Sequence, residues 1–528
     1  MTSSEARTLP LVEQRVAEMA ASDPDKVALV HFDDGSESSI TYAELHQRAN
    51  QLASLLVDVG VERKDRVALM AVNGIEPAVA RIAIWRAGAT EVPVNTMYRS
   101  GELEHILTDS AASAIIFDSV GAPALGDLKI MQQPGRPRLV SLGGPNSLAG
   151  VDASDAVRFD GSAVLPPVDA DGLAFVAYTS GTTGVPKGAM IPHRNCSLSM
   201  EIIRDTLDLG PDDVQLNSMP MFHSNASLFG YLMGWYIGGT SVSVGRFEAA
   251  TFADLVLRHQ ITCGVLVPTM LYELNRLGDE QEVDLSSFRY MIFGASPTPP
   301  HVREKFEKTY GITLLHCYGM TEAPNAVTLD PLDAPPRSGT VGLPLPHVRV
   351  RIVDDDNNEL PIGQSGEVVL STPEEGPYAG QYQPIPGYFN MPEANAEALA
   401  EGWFHTGDIG VLDDDGFLSI VDRKKDMIIA SGYNIFPAEL ERVLVSHPAI
   451  SEAYVVGIPH DRRVEAPMAF VVLEQDAALS EDEAKAFIRE HLAPYKALAA
   501  VEFVSSSDLP RSALGKVLKR EIRDRFVG

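Results

Sequence analysis

Cysteine is scarce in this chain: three among 528 residues, Cys196, Cys263 and Cys317. They show neither metal-ligand spacing nor the pattern of a disulfide framework. That excludes a structural zinc site and a stapled secreted scaffold, and it suits a reducing compartment. Long hydrophobic runs are missing as well. The N-terminal MTSSEARTLPLVEQRVAEMA mixes charge with apolar residues and lacks the apolar stretch of a signal peptide. The longest weakly polar segment, Ala226 to Gly239 (ASLFGYLMGWYIGG), is too short to span a bilayer and reads as a buried helix. A cytoplasmic protein without a membrane span is expected. Positive charge is in short supply: 42 Lys and Arg face 72 Asp and Glu, a net charge of −30. A field of that sign repels polyanions, which speaks against nucleic-acid or anionic-membrane partners. Any phosphorylated ligand must be held by local positive charge.

What is present is a chain long enough to outgrow a single core, so a large layered domain and at least one further unit are expected. From about Ile40 to Phe117, helical patterns such as YAELHQRANQLASLLVDVG alternate with short apolar runs such as RVALMAV and ATEVPV. The alternation returns between Leu173 and Tyr318, with LAFVAYT, GTSVSV, CGVLVP, RYMIFGAS and TLLHCYG as strands. This predicts two related α/β sheets in layers. After Pro335 the texture shifts to strands separated by Asp, Asn and Gly turns, an antiparallel or β-barrel-like appendage. Beyond Asp422 strands and helices alternate again (PAELERVLVSHPAI, AYVVGIP, MAFVVLE, SEDEAKAFIREHL), so a small α+β C-terminal domain begins near Arg423. Ser141 to Pro167 reads as loop. Neither repeats nor low-complexity tracts occur.

Directly after LAFVA stands YTSGTTGVPKG. Thr179, Ser180, Thr182 and Thr183 offer hydroxyls, Gly181, Gly184 and Gly188 allow close backbone approach, and Lys187 adds a cation. That is the composition of an oxyanion cradle. The order is not G-x-x-x-x-G-K-[ST], because Pro186 precedes Lys187 and Gly188 follows it, so a Walker-type NTPase is disfavoured. Near the other end, Arg511 to Arg525 holds six basic and two acidic residues, a local reversal of sign. On pattern alone it is equally an amphipathic terminal helix with a solvated basic face.

Six motifs in order, YTSGTTGVPKG, PMFH, YGMTE, GWFHTGD, DRKKDMIIASGYNIFPAELE and LPRSALGK, resemble the adenylate-forming superfamily of acyl-CoA ligases, nonribosomal peptide adenylation domains and firefly luciferase. The resemblance spans nearly the whole chain. It implies an N-terminal domain, 1–423, carrying the ATP and acyl-substrate site, and a mobile C-terminal domain, 424–528. In YGMTE (Tyr318, Gly319, Met320, Thr321, Glu322), placed on a loop at a strand's carboxyl end, it implies that Tyr318 stacks on adenine and Thr321 bonds the α-phosphate. Glu322 would hold Mg²⁺, for which a hard oxygen ligand is suited. Gly294, Ala295 and Ser296 would lie along adenine. Asp408 would accept from both ribose hydroxyls, a task for paired acceptor oxygens. Arg423 would contact ribose or phosphate.

Lys516 would bridge the carboxylate and the α-phosphate, offsetting the repulsion between two anions as they approach. Lys425 matches the hinge on which the small domain turns, and Ser431, Gly432 and Tyr433 would then line the pantetheine tunnel. His223 resembles the residue that shields the acyl end from that tunnel. The implied activity is formation of acyl-AMP from a carboxylic acid and ATP, then thioester formation with coenzyme A. The small residues Ala226, Gly230 and Gly234, four apart after His223, suggest either tight helix packing or a pocket for a medium, long-chain or bulky apolar acid. A carrier protein is the alternative thiol acceptor, although no carrier module follows LPRSALGK in this sequence. Ser224 stands where amino-acid-activating relatives hold an amine-binding aspartate. Luciferase-like oxidation shares all these motifs, and a non-catalytic nucleotide-binding protein is the rival outside enzymes. A homodimer is the default assembly.

Overall fold

A computed structural model describes residues 9–526 apart from 144–147, 149, 162–164, 180–185, 295–297, 299, 382–383, 431–432, 461–463 and 512–516. Two layered sheets dominate. The first has seven strands in the order Val151–Asp152, Arg138–Ser141, Ala114–Phe117, Arg66–Met70, Thr90–Pro93, Leu173–Thr179 and Lys187–Pro192. All its pairings are parallel except the last, a hairpin closed by the glycine- and hydroxyl-rich segment. The second has nine strands: Leu343–Pro344, Ala323–Leu329, Leu314–Met320, Tyr290–Gly294, Cys263–Leu266, Val214–Asn217, Thr240–Val244, Val27–Asp33 and Ser36–Thr41. Its interior is parallel and both edges are antiparallel.

Between the sheets run helices whose sequences allow burial on every side. In Ile75–Arg86 each residue from Pro77 onward is buried. Such a helix has no polar face to give to solvent. His193–Leu207 packs on Leu173–Thr179 and Lys187–Pro192 of one sheet and on Ala323–Leu329 of the other. Outer helices follow ordinary start signals: Tyr42–Asp58 begins with Thr41 and Glu44 exchanging side-chain and backbone hydrogen bonds, and Glu481–His491 does the same through Ser480 and Glu483.

The appendage is a four-stranded antiparallel sheet, Arg349–Val353, Gly366–Ser371, Phe404–Leu412 and Leu418–Arg423. The sequence marked two or three of these; Phe404–Leu412 went unread because its HTGD segment has the composition of a turn. Next comes a five-stranded sheet of Tyr433–Ile435, Ile428–Ala430, Val464–Leu473, Ile450–His460 and Ala500–Phe503. It is covered by Pro437–Val445 and Glu481–His491, which share its apolar cluster. The stretch read as loop, Ser141 to Pro167, contributes the edge strand Val151–Asp152 and a 3₁₀ turn at Ala153–Arg158. Among the described residues no helix is long and apolar enough to cross a membrane.

Burial makes this fold sensitive to acid. His193 and His347 lie inside the large core, where loss of hydration pushes each imidazole down to about 3. In the unfolded chain they titrate near 6.5, so below that pH the unfolded state binds more protons and folding weakens. The cost is on the order of 2 kcal/mol per histidine at pH 5. The midpoint of thermal unfolding should hold steady from pH 8 to 7 and fall between pH 6.5 and 5; a flat profile down to pH 5 would contradict the buried neutral imidazoles.

Candidate active site

Thr179, Gly294 and Tyr318 to Met320 stand at the carboxyl ends of strands from both sheets, where open α/β sheets bind ligands. Thr179 ends its strand and pairs with Lys187 across the hairpin. Gly188 follows, and a Cβ there would stand 2.7 Å from Val176 Cγ1 and 3.1 Å from the Tyr178 ring. This glycine makes room for packing inside the sheet rather than for a ligand, which corrects one part of the cradle reading. Ser180, Gly181, Thr182, Thr183 and Gly184 lie outside the described residues.

Tyr318, Gly319 and Met320 belong to the strand Leu314–Met320 itself, and Thr321 and Glu322 form the turn into Ala323–Leu329. The loop expected after TLLHC is therefore a tight antiparallel hairpin with an irregular register between Tyr318 and Met320. Its consequence is rigidity: Glu322 is carried on a hydrogen-bonded turn. Thr179 Oγ1 donates to Glu322 Oε1 at 3.1 Å, joining the two sheets at the site. Ser224 Oγ lies 2.9 Å from Thr321 Oγ1, so the serine sits hydroxyl to hydroxyl with the threonine expected on the α-phosphate.

A second group forms around Asp408, whose side chain is 3% exposed. Tyr318 Oη donates to Oδ2 at 2.6 Å, and Arg423 Nε lies 2.6 Å from Oδ1. Asp408 and Arg423 are direct cross-strand partners, which places opposite charges face to face. Burial and then the Asp408 carboxylate push the Tyr318 phenol well above its usual value. Its proton therefore stays on throughout the neutral range. Gly294 faces the main chain of its neighbouring strand, and a Cβ would stand 2.4 Å from the Cys317 carbonyl. Ala295 and Ser296 beyond it are outside the described residues.

His223 is half-buried next to Phe222, with ring centroids 4.6 Å apart, and its Nε2 has no hydrogen-bond partner. Burial pushes its imidazole down to about 4, so it is neutral at physiological pH. A neutral, unpartnered ring is apt as a shield. Lys425 sits in the short turn Lys424–Asp426 between the four- and five-stranded sheets, and Tyr433 begins the strand Tyr433–Ile435. Ser431, Gly432 and Lys516 fall outside the described residues.

One residue that sequence reading missed is Tyr388, in PGYFN. Its hydroxyl donates to Glu322 Oε1 at 3.2 Å, and the Lys187 ammonium stands 5.2 Å from its ring centre. Two adjacent aromatics in a Pro- and Gly-rich stretch carry no periodic signal.

The segment after His223 departs from the helical stripe expected of it. Ala226–Leu232 is π-helical and continues into the α-helical turn Met233–Tyr236, so residues four apart do not share a face throughout. A Cβ on Gly230 would stand 2.6 Å from Asn217 Cγ, and one on Gly234 would stand 2.2 Å from Ser241 Oγ. Both glycines therefore serve close packing on the nine-stranded sheet, not a pocket. A small, mostly apolar cavity of about 10 Å³ lies on another side of this element, lined by Ile203, Leu207, Phe229, Met233, Val265 and Ile292 among others; it has room for about one water.

Residues 16–377 match the family of AMP-binding enzymes, and residues 439–516 match the AMP-binding enzyme C-terminal domain. The long-chain-fatty-acid–CoA ligase of Salmonella typhimurium is 35% identical over 521 residues, 93% of this chain and 90% of its own. Feruloyl-CoA synthase from an Amycolatopsis species is 35% identical over 490 residues, 93% and 94% of the two chains. ATP-bound MatB from Rhodopseudomonas palustris superposes with a TM-score of 0.87 at 29% identity, over 98% of this chain and 99% of that one. The chain belongs to the AMP-binding enzymes, within the adenylate-forming superfamily of acyl-CoA synthetases, and is an AMP-forming acid–thiol ligase.

The glycine assignment has a direct check. Gly230→Ala forces a methyl onto Asn217, which is itself fixed by donating to the Met219 carbonyl at 3.0 Å. It should cost about 1–3 kcal/mol, read as a lowered denaturation midpoint, while the ranking of acid substrates stays as in the wild type. A shifted ranking at unchanged stability would restore the pocket explanation.

Proposed function

We propose that this enzyme activates a medium-chain, long-chain or bulky apolar carboxylic acid and delivers it to the thiol of coenzyme A. In the first step a carboxylate oxygen attacks the α-phosphorus of ATP and pyrophosphate leaves. In the second the thiol, giving up its proton, attacks the acyl carbonyl and AMP leaves. The observation that carries this reading is the convergence, at one end of two sheets, of Thr179, Lys187, Thr321 and Glu322 with the Tyr318–Asp408–Arg423 group. Phosphate-binding and nucleoside-binding chemistry then face a common space.

In this reading Thr179, Lys187 and the rest of the hydroxyl-rich loop hold the phosphates, and Thr321 the α-phosphate. Tyr318, Gly319, Met320 and Gly294 to Ser296 flank the base, and Asp408 with Arg423 takes the ribose. Glu322 fits Mg²⁺: it is a hard oxygen donor, and among the described residues its hydrogen bonds fall on Oε1 alone. No group of three or more potential ligands occurs among the described residues. A single carboxylate suits an ion that completes its shell with phosphates and water. When bound, Mg²⁺ would neutralise phosphate charge. Domains 1–423 and 424–528 would turn about Lys425, exchanging Lys516 for the Ser431–Tyr433 loop beside the acyl-adenylate.

The preference for apolar acids is supported by the relatives. The relatives named above act, by name, on long-chain fatty acids and form feruloyl-CoA.

Pyrophosphate release should therefore rise along a series of apolar acids with CoA absent, and AMP should accumulate continuously once CoA is added. Turnover with a phosphopantetheinylated carrier protein in place of CoA would redirect the second step. Lys516→Ala should slow adenylation by about a hundredfold or more, the loss typical of a transition-state charge partner, yet still convert supplied acyl-AMP to thioester. Lys425→Pro should do the opposite, because proline fixes φ and blocks rotation at the hinge. Equal loss of both half-reactions in Lys516→Ala would defeat the two-orientation reading.

A further inference from the structure

Tyr388 occupies the space between two groups of opposite charge. On one side its hydroxyl donates to Glu322 Oε1 at 3.2 Å, the oxygen that also accepts from Thr179 at 3.1 Å. On the other, Lys187 Nζ stands 5.2 Å from the ring centre, within cation–π range. Lys187 and Glu322 are both described, and no ion pair joins them.

The ring is fixed from both ends of its backbone. Ala189 and Tyr388 form an antiparallel bridge. Phe389 N donates to the Gly188 carbonyl at 2.8 Å and Met190 N to the Gly387 carbonyl at 3.1 Å. Tyr388 N donates to Asn395 Oδ1 at 2.5 Å, and Asn395 Nδ2 donates back to the Tyr388 carbonyl at 2.9 Å. Tyr388 as a whole is 9% exposed. Tyr388 thus extends the hairpin that carries Lys187, while its tip reaches the turn that carries Glu322.

Without the ring between them, a half-buried lysine and a half-buried glutamate that reach the same tyrosine would be free to pair, because opposite charges attract more strongly where water is partly excluded. Each would then be lost to its ligand. A cation over an aromatic face is held more weakly than one against a carboxylate, so it can be given up to a phosphate. A neutral hydroxyl bound to one carboxylate oxygen orients the group and leaves the other oxygen available. We propose that Tyr388 is a positioning residue for adenylation, one that keeps Lys187 free for the triphosphate and Glu322 free for its divalent cation. The inference rests on the roles given above to those two residues.

The test measures binding rather than turnover. Calorimetry with ATP in EDTA reads Lys187; Mn²⁺ titration followed by electron paramagnetic resonance, with a non-hydrolysable ATP analogue present, reads Glu322. Tyr388→Phe keeps the ring and loses the hydroxyl, so metal-free ATP affinity should stay within about twofold while Mn²⁺ affinity falls severalfold. Tyr388→Leu loses both, and metal-free ATP affinity should fall about tenfold as Lys187 pairs with Glu322. Adding Glu322→Gln to Tyr388→Leu should return metal-free ATP affinity to that of Glu322→Gln alone, a rescue that general damage to the fold cannot give. Absence of that rescue, or unchanged Mn²⁺ affinity in Tyr388→Phe, overturns the proposal; should Tyr388→Leu not fold, the Tyr388→Phe measurement decides by itself. Lys187→Ala and Glu322→Gln serve as the separate control. If neither single change weakens ATP or Mn²⁺ binding, the site assignment itself fails; if both do and the tyrosine variants do not, only the spacer role does.

Discussion

A buried ion pair between the two sheets determines where the site can form. Arg81, on Ile75–Arg86, and Glu91, on Thr90–Pro93, are 1% and 0% exposed and bond twice, Nε to Oε2 and Nη2 to Oε1, both at 2.8 Å. A bidentate fork of this kind is among the stronger polar contacts available to a protein. It is also demanding, since removing either partner strands a charge in the core at a cost of about 3–5 kcal/mol. The guanidinium lies over Phe175, in the strand that ends at Thr179, and Nη2 donates to the Met221 carbonyl at 3.1 Å. Asn73 adds a second hold on the same segment: its Nδ2 donates to the Met219 carbonyl, and its Oδ1 accepts from Met221 N at 2.7 Å. The PMFH segment, which belongs in sequence to the nine-stranded layer, is thereby bound to the seven-stranded one. His223 and Ser224 follow within three residues, and through Ser224 so does the contact to Thr321.

This latch explains which parts of the molecule were legible in sequence. Strands and helices follow hydrophobic period, and the runs LAFVAYT, RYMIFGAS and CGVLVP each contain a strand of the two sheets. Motif chemistry was legible because hydroxyls, glycines and a lysine in one short window have few other uses. The latch was not, since in VARIAIWRAGATEVPV an arginine and a glutamate look like ordinary surface residues until the two sheets close over them. Tyr388 was hidden for a related reason: its partners lie 66 and 201 positions away along the chain, joined to it only by the fold. Where pattern did mislead, at Gly230 and Gly234, the period assumed was that of an α-helix. The π-helical turn shifts which residues face the sheet, and the glycines meet Asn217 and Ser241.

The same contrast between fixed and free groups continues toward the hinge. Arg423 is tied to Asp408, and Lys424 is tied to both Asp355 at 3.0 Å and Glu367 at 3.1 Å. Asp422 accepts from Ala438 N at 2.8 Å, at the start of Pro437–Val445, and burial pushes its carboxyl up. Farther along that helix Glu441 pairs with Lys519 at 2.7 Å, the lysine three residues beyond Lys516. These contacts hold the residues before Lys425 to the large domain and join the basic C-terminal segment to the small one. In the proposed rotation about Lys425 the Asp422 cap would break, while Lys519 would stay paired with Glu441.

Net charge frames the last step. At −30 the chain repels ATP and CoA at long range, yet at physiological ionic strength such fields fade within about 8 Å. Capture must then be local, and the geometry is arranged for it. Arg423 is paired with Asp408; in the proposed reading a ribose would compete for that carboxylate, and nucleoside binding would leave the guanidinium nearer to uncompensated as the phosphates arrive. Lys187 rests on an aromatic face and not on a carboxylate. Both cations are thus presented with weak or displaceable partners, which is how an acidic enzyme can hold a polyanion without a basic surface.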